Sequence, residues 1–139
     1  MIDFSTEFGQ RVRRRLEEEY FVWFTTAGPD LTPQPRPVWF VWDDGAFLIY
    51  SKPDAHKVAH IRQHPNVALH FNTDQRADED VTVFLGRAAL DPDAPPAHRM
   101  PAYLDKYAGG IAGLDMTPKE FSAEYSLAIR VRPTKLRGW

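Results

Sequence analysis

The sequence predicts a mainly β protein of the α+β kind, with about six antiparallel strands closed or nearly closed into a barrel and small helices between them. Apolar and polar residues alternate over 67–71 and again over 125–131, the period of a strand with one buried face. Asp43-Asp44-Gly45 is a typical hairpin turn between two apolar runs. Short turns between strands favour a barrel because closure leaves no exposed sheet edge. The 139 residues are expected to form one domain.

The chain begins with a predicted helix from about Phe4 to Glu19. Arg13-Arg14-Arg15 is followed four residues later by Glu17-Glu18-Glu19, so each arginine faces a glutamate on the helix surface. The basic triplet is therefore interpreted as a self-paired face exposed to water and not as a nucleic-acid patch.

Prolines punctuate the first half of the predicted barrel. Tyr20–Thr26 is an aromatic, β-favouring run, and prolines then occupy alternate positions from Pro33 to Pro37. Because proline has no N–H group for a sheet ladder, this segment is predicted to lie at an edge or mouth. Val38–Trp42 is predicted as one continuous strand, and Ala46–Tyr50 returns after the turn.

Helices and strands alternate in the middle of the chain. A helix is predicted from about Asp54, acting as the N-cap, to Gln63. Val81–Leu90 is predicted as a strand, and Gly86 within it marks a bulge or a close approach of another backbone.

The last third contains two further helices before the final strand. One begins with Pro101 at its first position and is predicted to end after Tyr107, at Gly109-Gly110. Thr117-Pro118-Lys119-Glu120 forms a capping box that starts the other. The alternating run from Tyr125 to Val131 then gives the last strand.

The bulk composition excludes several classes of protein. The formal net charge is −2 with a pI near 6.2, so no basic field indicates a nucleic-acid partner. The absence of cysteine excludes disulfides and thiolate chemistry. Neither a membrane span nor a signal-peptide pattern is visible, and a cytoplasmic protein is expected. A P-loop, a dinucleotide fingerprint and a nucleophile elbow are also missing, so any nucleotide-like cofactor is expected on the barrel itself.

Two lysines flank the start of the predicted helix after Tyr50. Lys57 falls in the first helical turn, where a cation is unfavourable by about 0.3–1 kcal/mol, and Lys52 adds a second positive charge. A bound anion, most simply a phosphate that also contacts the Ser51 hydroxyl, explains this arrangement. On this segment alone, ordinary surface lysines explain it equally well.

The histidines and aromatic residues have plain structural interpretations. His56, His60 and His64 lie four residues apart, but no further ligand is placed beside them, so a role at the helix surface is favoured and no metal site is predicted. The large apolar residues of Val38–Trp42 require cover on both faces of the strand. Among them Phe40 and Trp42 are assigned to the core, whereas Trp39 follows the proline segment and is the ligand candidate.

Three segments in this order form a recognisable combination. They are Pro35–Phe40 with the hairpin after it, Tyr50–Val67, and Tyr103–Tyr107 followed by Met116-Thr117-Pro118 and the tail Arg132–Trp139. In this combination the chain resembles the pyridoxamine 5′-phosphate oxidase-like split-barrel superfamily. It is most similar to the flavin/deazaflavin oxidoreductase branch, whose members use coenzyme F420.

The resemblance implies a six-stranded FMN-binding split barrel and a homodimer with cofactor sites at the interface. Carried over by position, Ser51, Lys52 and Lys57 hold the cofactor phosphate. The ring of the cofactor is bordered by Gln34, Arg36, Pro37, Val38 and Trp39, with Tyr50 below it.

The function implied is transfer of a hydride from reduced coenzyme F420 to an unsaturated small acceptor such as a quinone, an enone or a tetrapyrrole. No catalytic side chain is assigned. The vitamin-specific oxidases of the superfamily carry a C-terminal substrate segment that this sequence lacks, so pyridoxamine phosphate oxidation is not expected. The alternatives are an FMN-dependent oxidoreductase, a non-enzymatic flavin or tetrapyrrole carrier, and a structural or RNA-binding barrel.

Overall fold

A computed structural model describes residues 2–139 of the chain. These residues form seven strands, four α-helices and one short 3-10 helix, Ala97–Arg99. The helices are α1 Glu7–Glu18, α2 His56–Gln63, α3 Pro101–Gly113 and α4 Pro118–Glu124. The strands are β1 Phe21–Ala27, β2 Pro33–Trp39, β3 Val41–Asp43, β4 Ala46–Ser51, β5 Asn66–His70, β6 Thr82–Leu90 and β7 Leu127–Gly138.

The strands form one antiparallel sheet that curls into a half-barrel. Their order is β2-β1-β5-β6-β7-β4-β3, so β2 and β3, neighbours in sequence, lie at opposite edges. The mainly β architecture with flanking helices is confirmed, whereas the predicted number of six strands is wrong. Seven strands arise because Val38–Trp42 is not continuous: β2 ends at Trp39 and β3 begins at Val41.

Phe40 makes the corner between these two edge strands. Its side chain is fully buried, and its backbone N–H donates to the Tyr107 hydroxyl at 2.8 Å. Its carbonyl oxygen accepts a hydrogen bond from the Lys106 ammonium at 3.0 Å. The Tyr107 oxygen also lies 2.7 Å from the carbonyl oxygen of Tyr20. Side chains of α3 thus satisfy the buried backbone groups that a sheet ladder would otherwise pair.

Apolar side chains are packed on both faces of β4. Phe47 and Ile49 belong to the core inside the curled sheet, with Phe24, Phe40 and Phe84 among its other members. Leu48 and Tyr50 alternate with them and pack against α3 and α4, in a second cluster that contains Tyr103, Tyr107, Ile111 and Phe121. Because neighbouring residues of a strand point to opposite faces, all six residues of β4 are buried. The end of this strand is consequently held firmly in place.

Several local features confirm the sequence predictions. The proline-bearing strand β2 lies at an edge, where missing N–H groups leave no ladder bond unmade. The pairing of β6 with β7 shifts at Gly86, where a Cβ would lie 2.7 Å from the Arg132 carbonyl oxygen. In α4 both hydrogen bonds of the capping box between Thr117 and Glu120 are present.

The first helix is slightly shorter than predicted and carries two of the three expected ion pairs. Arg13 lies 3.8 Å from Glu17, and Arg15 lies 2.7 Å from Glu19. Across residues 2–139, every helix is too short or too polar to cross a membrane, and the longest, α3, has 13 residues.

Two predicted helix ends are wrong. Helix α2 begins at His56 with Ala55 as its N-cap, so Asp54 is not the capping residue. Helix α3 continues through Gly109-Gly110 to Gly113. A Cβ on Gly110 would lie 2.4 Å from the Tyr20 hydroxyl oxygen and 2.7 Å from a Trp39 ring carbon. Gly110 therefore permits close packing and does not end the helix.

Candidate functional site

Two cavities meet where β2, the end of β4 and the start of α2 come together. We call the first, of about 550 Å³, the cationic cavity; it is lined by Phe24, Thr26, Gln34, Arg36, Pro37, Ala55, His56, Lys57 and His60. We call the second, of about 390 Å³, the aromatic cleft; it is lined by Pro37, Val38, Trp39, Tyr50, Ser51, Lys52, Ala55, Lys57, Tyr103, Leu114, Phe121 and Tyr125. Pro37, Ala55 and Lys57 belong to both and form the wall between them.

The cationic cavity brings two basic side chains together without an acidic neighbour. Arg36 projects from the edge strand β2 and Lys57 from the first turn of α2, and the residues lining the cavity include no aspartate or glutamate. Burial lowers the pKa of the Lys57 ammonium, and the positive charge of Arg36 lowers it further. Both effects disfavour the charged form of Lys57, and an anion bound nearby would favour it.

The start of α2 faces the same region with its backbone amides uncapped. Ala55 offers no side-chain hydrogen bond to the helix, and the first turn contains no acidic residue. The first N–H groups of a helix need partners from outside the helix and favour negative charge. This end of α2 therefore adds to the positive potential of the cationic cavity.

Two histidines complete the wall of the cationic cavity. His60 is half-buried, and its Nδ1 lies 2.8 Å from the Thr26 hydroxyl oxygen. The rings of His56 and His60 stack with centroids 6.3 Å apart. The sequence interpretation placed the three histidines at the helix surface. It missed that His56 and His60 line a cavity, whereas His64 lies outside that cavity. Within residues 2–139 no group of three or more potential metal ligands comes together.

Stacked rings form one side of the aromatic cleft. Trp39 stacks on Tyr107 with centroids 4.6 Å apart, and Phe121 stacks on Tyr125 at 4.4 Å. Trp39 also lies 5.9 Å from Phe121 in a nearly parallel arrangement. Aromatic side chains therefore line this side of the cleft, which suits a planar ring system.

Tyr50 lines the aromatic cleft, and its hydroxyl is already engaged. It donates to the carbonyl oxygen of Pro95 at 2.6 Å. Burial raises the pKa of Tyr50 to about 12, so the phenol remains protonated at neutral pH. An edge contact with the Tyr103 ring, with centroids 4.9 Å apart, and this hydrogen bond hold the Tyr50 ring in place.

All the cofactor-binding residues named from the sequence line one cavity or the other. The three assigned to phosphate all line the aromatic cleft, and Lys57 alone among them also lines the cationic cavity. Lys57 lies beside Arg36, whereas Lys52 forms an ion pair with Glu124 at 3.0 Å. The hydrogen bond from Lys52 to Glu124 raises the pKa of Lys52. The buried Ser51 hydroxyl donates to the carbonyl oxygen of Lys52 at 3.0 Å.

Sequence reasoning did not identify several lining residues. His56 and His60 were visible through their spacing, but only the fold places Thr26 opposite them. Phe121 and Tyr125 gave no local signal, because their position in the cleft depends on how α4 packs against β4.

Comparison with known proteins defines the family. The family model described as pyridoxamine 5′-phosphate oxidase matches residues 8–139. The chain belongs to this family. No curated protein sequence matches the chain.

Solved structures with the same fold have diverse descriptions. The conserved hypothetical protein Rv2991 from Mycobacterium tuberculosis gives a TM-score of 0.76 at 19% identity, covering 96% of this chain and 84% of that one. An FAD-binding protein from Mesorhizobium loti gives 0.63 at 14% identity, with 91% and 88% covered. The heme storage protein HutZ from Vibrio cholerae gives 0.64 at 11% identity, with 95% and 94% covered. At these identities the likeness establishes the fold alone.

Proposed function

We propose that the protein is an oxidoreductase that binds reduced coenzyme F420 and serves hydride transfer to an unsaturated small acceptor of the quinone, enone or tetrapyrrole type. The observation that carries the proposal is that a cavity lined by Arg36 and Lys57, with no acidic residue, adjoins a cleft lined by aromatic rings. A phosphate linked to a fused ring system requires such a pair of neighbouring spaces. The family supports a flavin-type cofactor without selecting which one.

The described residues fit a phosphate in the cationic cavity. Arg36, Lys57 and the amides at the start of α2 offer positive charge and hydrogen-bond donors, and no carboxylate of the lining residues repels an anion. Ser51 and Lys52, which the resemblance assigned to the phosphate, lie on the side of the ring in this proposal.

The chain's own residues would bind and orient the reactants and exclude water. A reduced deazaflavin or flavin supplies the hydride when bound. Pro37, Val38 and Trp39 would border the ring along one side, and Tyr50 would support it from below. Because the Tyr50 phenol is held by the Pro95 carbonyl oxygen, its proposed role is to position the ring.

Two alternatives each have a specific observation in their favour. An FMN-dependent oxidoreductase is supported by the FAD-binding protein that shares the fold. A carrier for a flavin or tetrapyrrole without turnover is supported by the likeness to a heme storage protein. Tight binding of a tetrapyrrole with no turnover in the presence of either reduced cofactor would select the carrier.

Separate titrations with F420 and FMN, followed by tryptophan fluorescence, test the proposal. We expect F420 to bind more tightly than FMN. The Lys57→Ala variant should weaken binding by roughly 10- to 100-fold, since a hydrogen bond to a charged group contributes about 1.5–3 kcal/mol. Lys52→Ala is the matched control, and its effect should stay below about threefold because Glu124 already neutralises Lys52.

Each other outcome has a definite meaning. Tighter binding of FMN would assign the protein to the FMN alternative. Failure of F420, FMN and heme to bind at all would contradict a cofactor role. An equal loss in the Lys52→Ala and Lys57→Ala variants would contradict the assignment of the phosphate to the cationic cavity.

We also propose a homodimer, as the family resemblance implies. A shallow apolar groove of about 410 Å³ crosses the outer face of β1, β5, β6 and β7, with Ala68, Leu85 and Thr134 among its lining residues. Leu85 is 36% exposed at this site. Sedimentation equilibrium should give twice the chain mass of 16.0 kDa, and a monomer at micromolar concentration would contradict the proposal.

A further inference from the structure

We propose that Lys52 selects acceptors that carry a carboxylate beside their unsaturated bond, by exchanging its ion pair with Glu124 for one with the acceptor. This inference names a substrate class for the aromatic cleft and rests on the proposed function. It begins from the charges of the cleft, because the lining residues that carry a formal charge, Lys52 and Lys57, are both cationic.

The two lysines of the cleft stand in different surroundings. Lys57 lies beside Arg36 in the wall shared with the cationic cavity, where the cofactor phosphate is proposed to bind. Lys52 directly follows the last residue of β4, and its Nζ lies 5.4 Å from the centroid of the Tyr125 ring, which also lines the cleft. One cation of the cleft is therefore left for a group other than the phosphate.

The ion pair that Lys52 makes within the chain is suited to exchange. Lys52 Nζ lies 3.0 Å from Glu124 Oε1, and the two side chains are 45% and 46% exposed. Ion pairs with this much access to water contribute little to stability. Glu124 is also the last residue of α4, and the carbonyl end of a helix disfavours a negative charge. A carboxylate from outside the chain can therefore compete with Glu124.

Lys52 remains a cation during the exchange. The hydrogen bond to Glu124 raises the pKa of Lys52 above the ordinary value of a lysine. A carboxylate of the acceptor would have the same effect. The ammonium group has three N–H donors, so the acceptor can bind before Glu124 leaves.

The aromatic side chains of the cleft account for the other half of the substrate class. Trp39, Phe121 and Tyr125 line the cleft with rings, which pack well against a conjugated system. A planar unsaturated acid thus contacts both the rings and Lys52, whereas a neutral planar compound leaves Lys52 with Glu124. Reduction adds a hydride from the reduced cofactor and a proton from water across the double bond, and the carboxylate is unchanged.

The test compares β-benzoylacrylate, an enone with a carboxylate, with its neutral methyl ester. Equilibrium dialysis measures the binding of each to the protein, alone and with oxidised F420 added, so that no turnover interferes. The carboxylate should bind about three- to fivefold more tightly at low salt, the range of a half-exposed ion pair. The chain has no cysteine that could add to the enone.

Three variants assign the preference to Lys52. Lys52→Met should bind the two compounds about equally, whereas Lys52→Arg should keep the preference for the carboxylate. Glu124→Gln should bind the carboxylate about two- to threefold more tightly than the unaltered protein does, because the competing charge is removed. Binding of the ester should be the same in all three variants, which shows that the cleft is intact.

Equal binding of the two compounds by the unaltered protein would overturn the inference, and so would a carboxylate preference that persists in Lys52→Met. Binding of neither compound, with or without F420, would overturn it as well. Turnover of both compounds with reduced F420 at equal KM would leave an oxidoreductase without carboxylate selection. A carboxylate preference without turnover of any acceptor would instead contradict the proposed function and support the carboxylate site, so the two failures are distinguishable.

Discussion

The cationic cavity and the aromatic cleft share one wall but differ in how their residues are partnered. In the aromatic cleft Lys52 is paired with Glu124, and Trp39 and Phe121 are stacked on other rings. In the cationic cavity Arg36 and Lys57 stand together with no acidic residue among the lining residues. The groups of the cleft already contribute to the folded state, whereas the charges of the cavity have no acidic side chain among the lining residues to complement them.

This difference separates structural from ligand-directed positions. A substitution in the cleft disturbs the second core cluster and should alter stability. A substitution of Arg36 or Lys57 removes an unfavourable arrangement from the free protein and should alter binding with little effect on stability. Lysines five positions apart in sequence, 52 and 57, thus have different expected roles.

The largest effect is expected where the cleft is most tightly packed. Gly110→Ala should lower the free energy of unfolding by about 1–3 kcal/mol, because the added Cβ meets Tyr20 and Trp39 at less than 3 Å. Gly109→Ala is the control. Gly109 is exposed, and a Cβ added there would have no neighbour within 4 Å. The higher helix propensity of alanine should stabilise this variant by up to about 1 kcal/mol. Urea unfolding measures both, and equal stabilities would show that the cleft is not close-packed.

A smaller effect is expected from Lys106, which lies behind the cleft. Its ammonium group is paired with a neutral backbone carbonyl and not with a carboxylate. It donates to the Phe40 carbonyl oxygen, and burial lowers its pKa to about 8. Between about pH 8 and its ordinary value of 10.5 the unfolded state binds more protons than the folded one, so stability rises with pH in that window.

From about pH 8 to 9.5 this rise should amount to about 1 kcal/mol, reduced from the full value because Lys106 is only partly buried. Denaturant unfolding at both pH values should show that the free energy of unfolding changes less with pH in Lys106→Met than in the unaltered protein. The exposed Lys135→Met variant serves as the control and should behave like the unaltered protein. An unchanged slope in Lys106→Met would mean that Lys106 is not responsible.

The smallest effect is expected for the ion pair of the cleft. Lys52 and Glu124 are each nearly half exposed, so Glu124→Gln should change the free energy of unfolding by less than about 1 kcal/mol. If Glu124 is what keeps Lys52 from acting on an anion, sulfate affinity should rise modestly in this variant. Sulfate titration at low and at high ionic strength checks this, and no change at low salt would assign Lys52 no influence on the anion site.

Features encoded within a few residues were predictable from the sequence. Alternating prolines marked an edge strand, Gly86 marked a close approach, and the capping box marked the start of α4. Each depends on backbone chemistry of the segment itself, so the rest of the chain has little power to change it.

Features set by distant contacts were not predictable. The strand break at Phe40 depends on Tyr107, which is 67 residues away, and the interior position of Gly110 depends on Trp39. The ion pair of Lys52 with Glu124 and the bond of His60 with Thr26 likewise require the fold. The sequence therefore predicted residues that line the two cavities more completely than it predicted their partners.

The single-residue corner at Phe40 restricts how the length of this protein can vary through evolution. Strands β2 and β3 are paired at opposite edges of the sheet and joined by one residue, so neither can slide without the other. One inserted or deleted residue would turn alternate side chains to the other face and carry Arg36 out of the cavity. Homologues that keep Arg36 in the cationic cavity are therefore expected to vary in length elsewhere, such as in the loop 74–80, and not between residues 33 and 43.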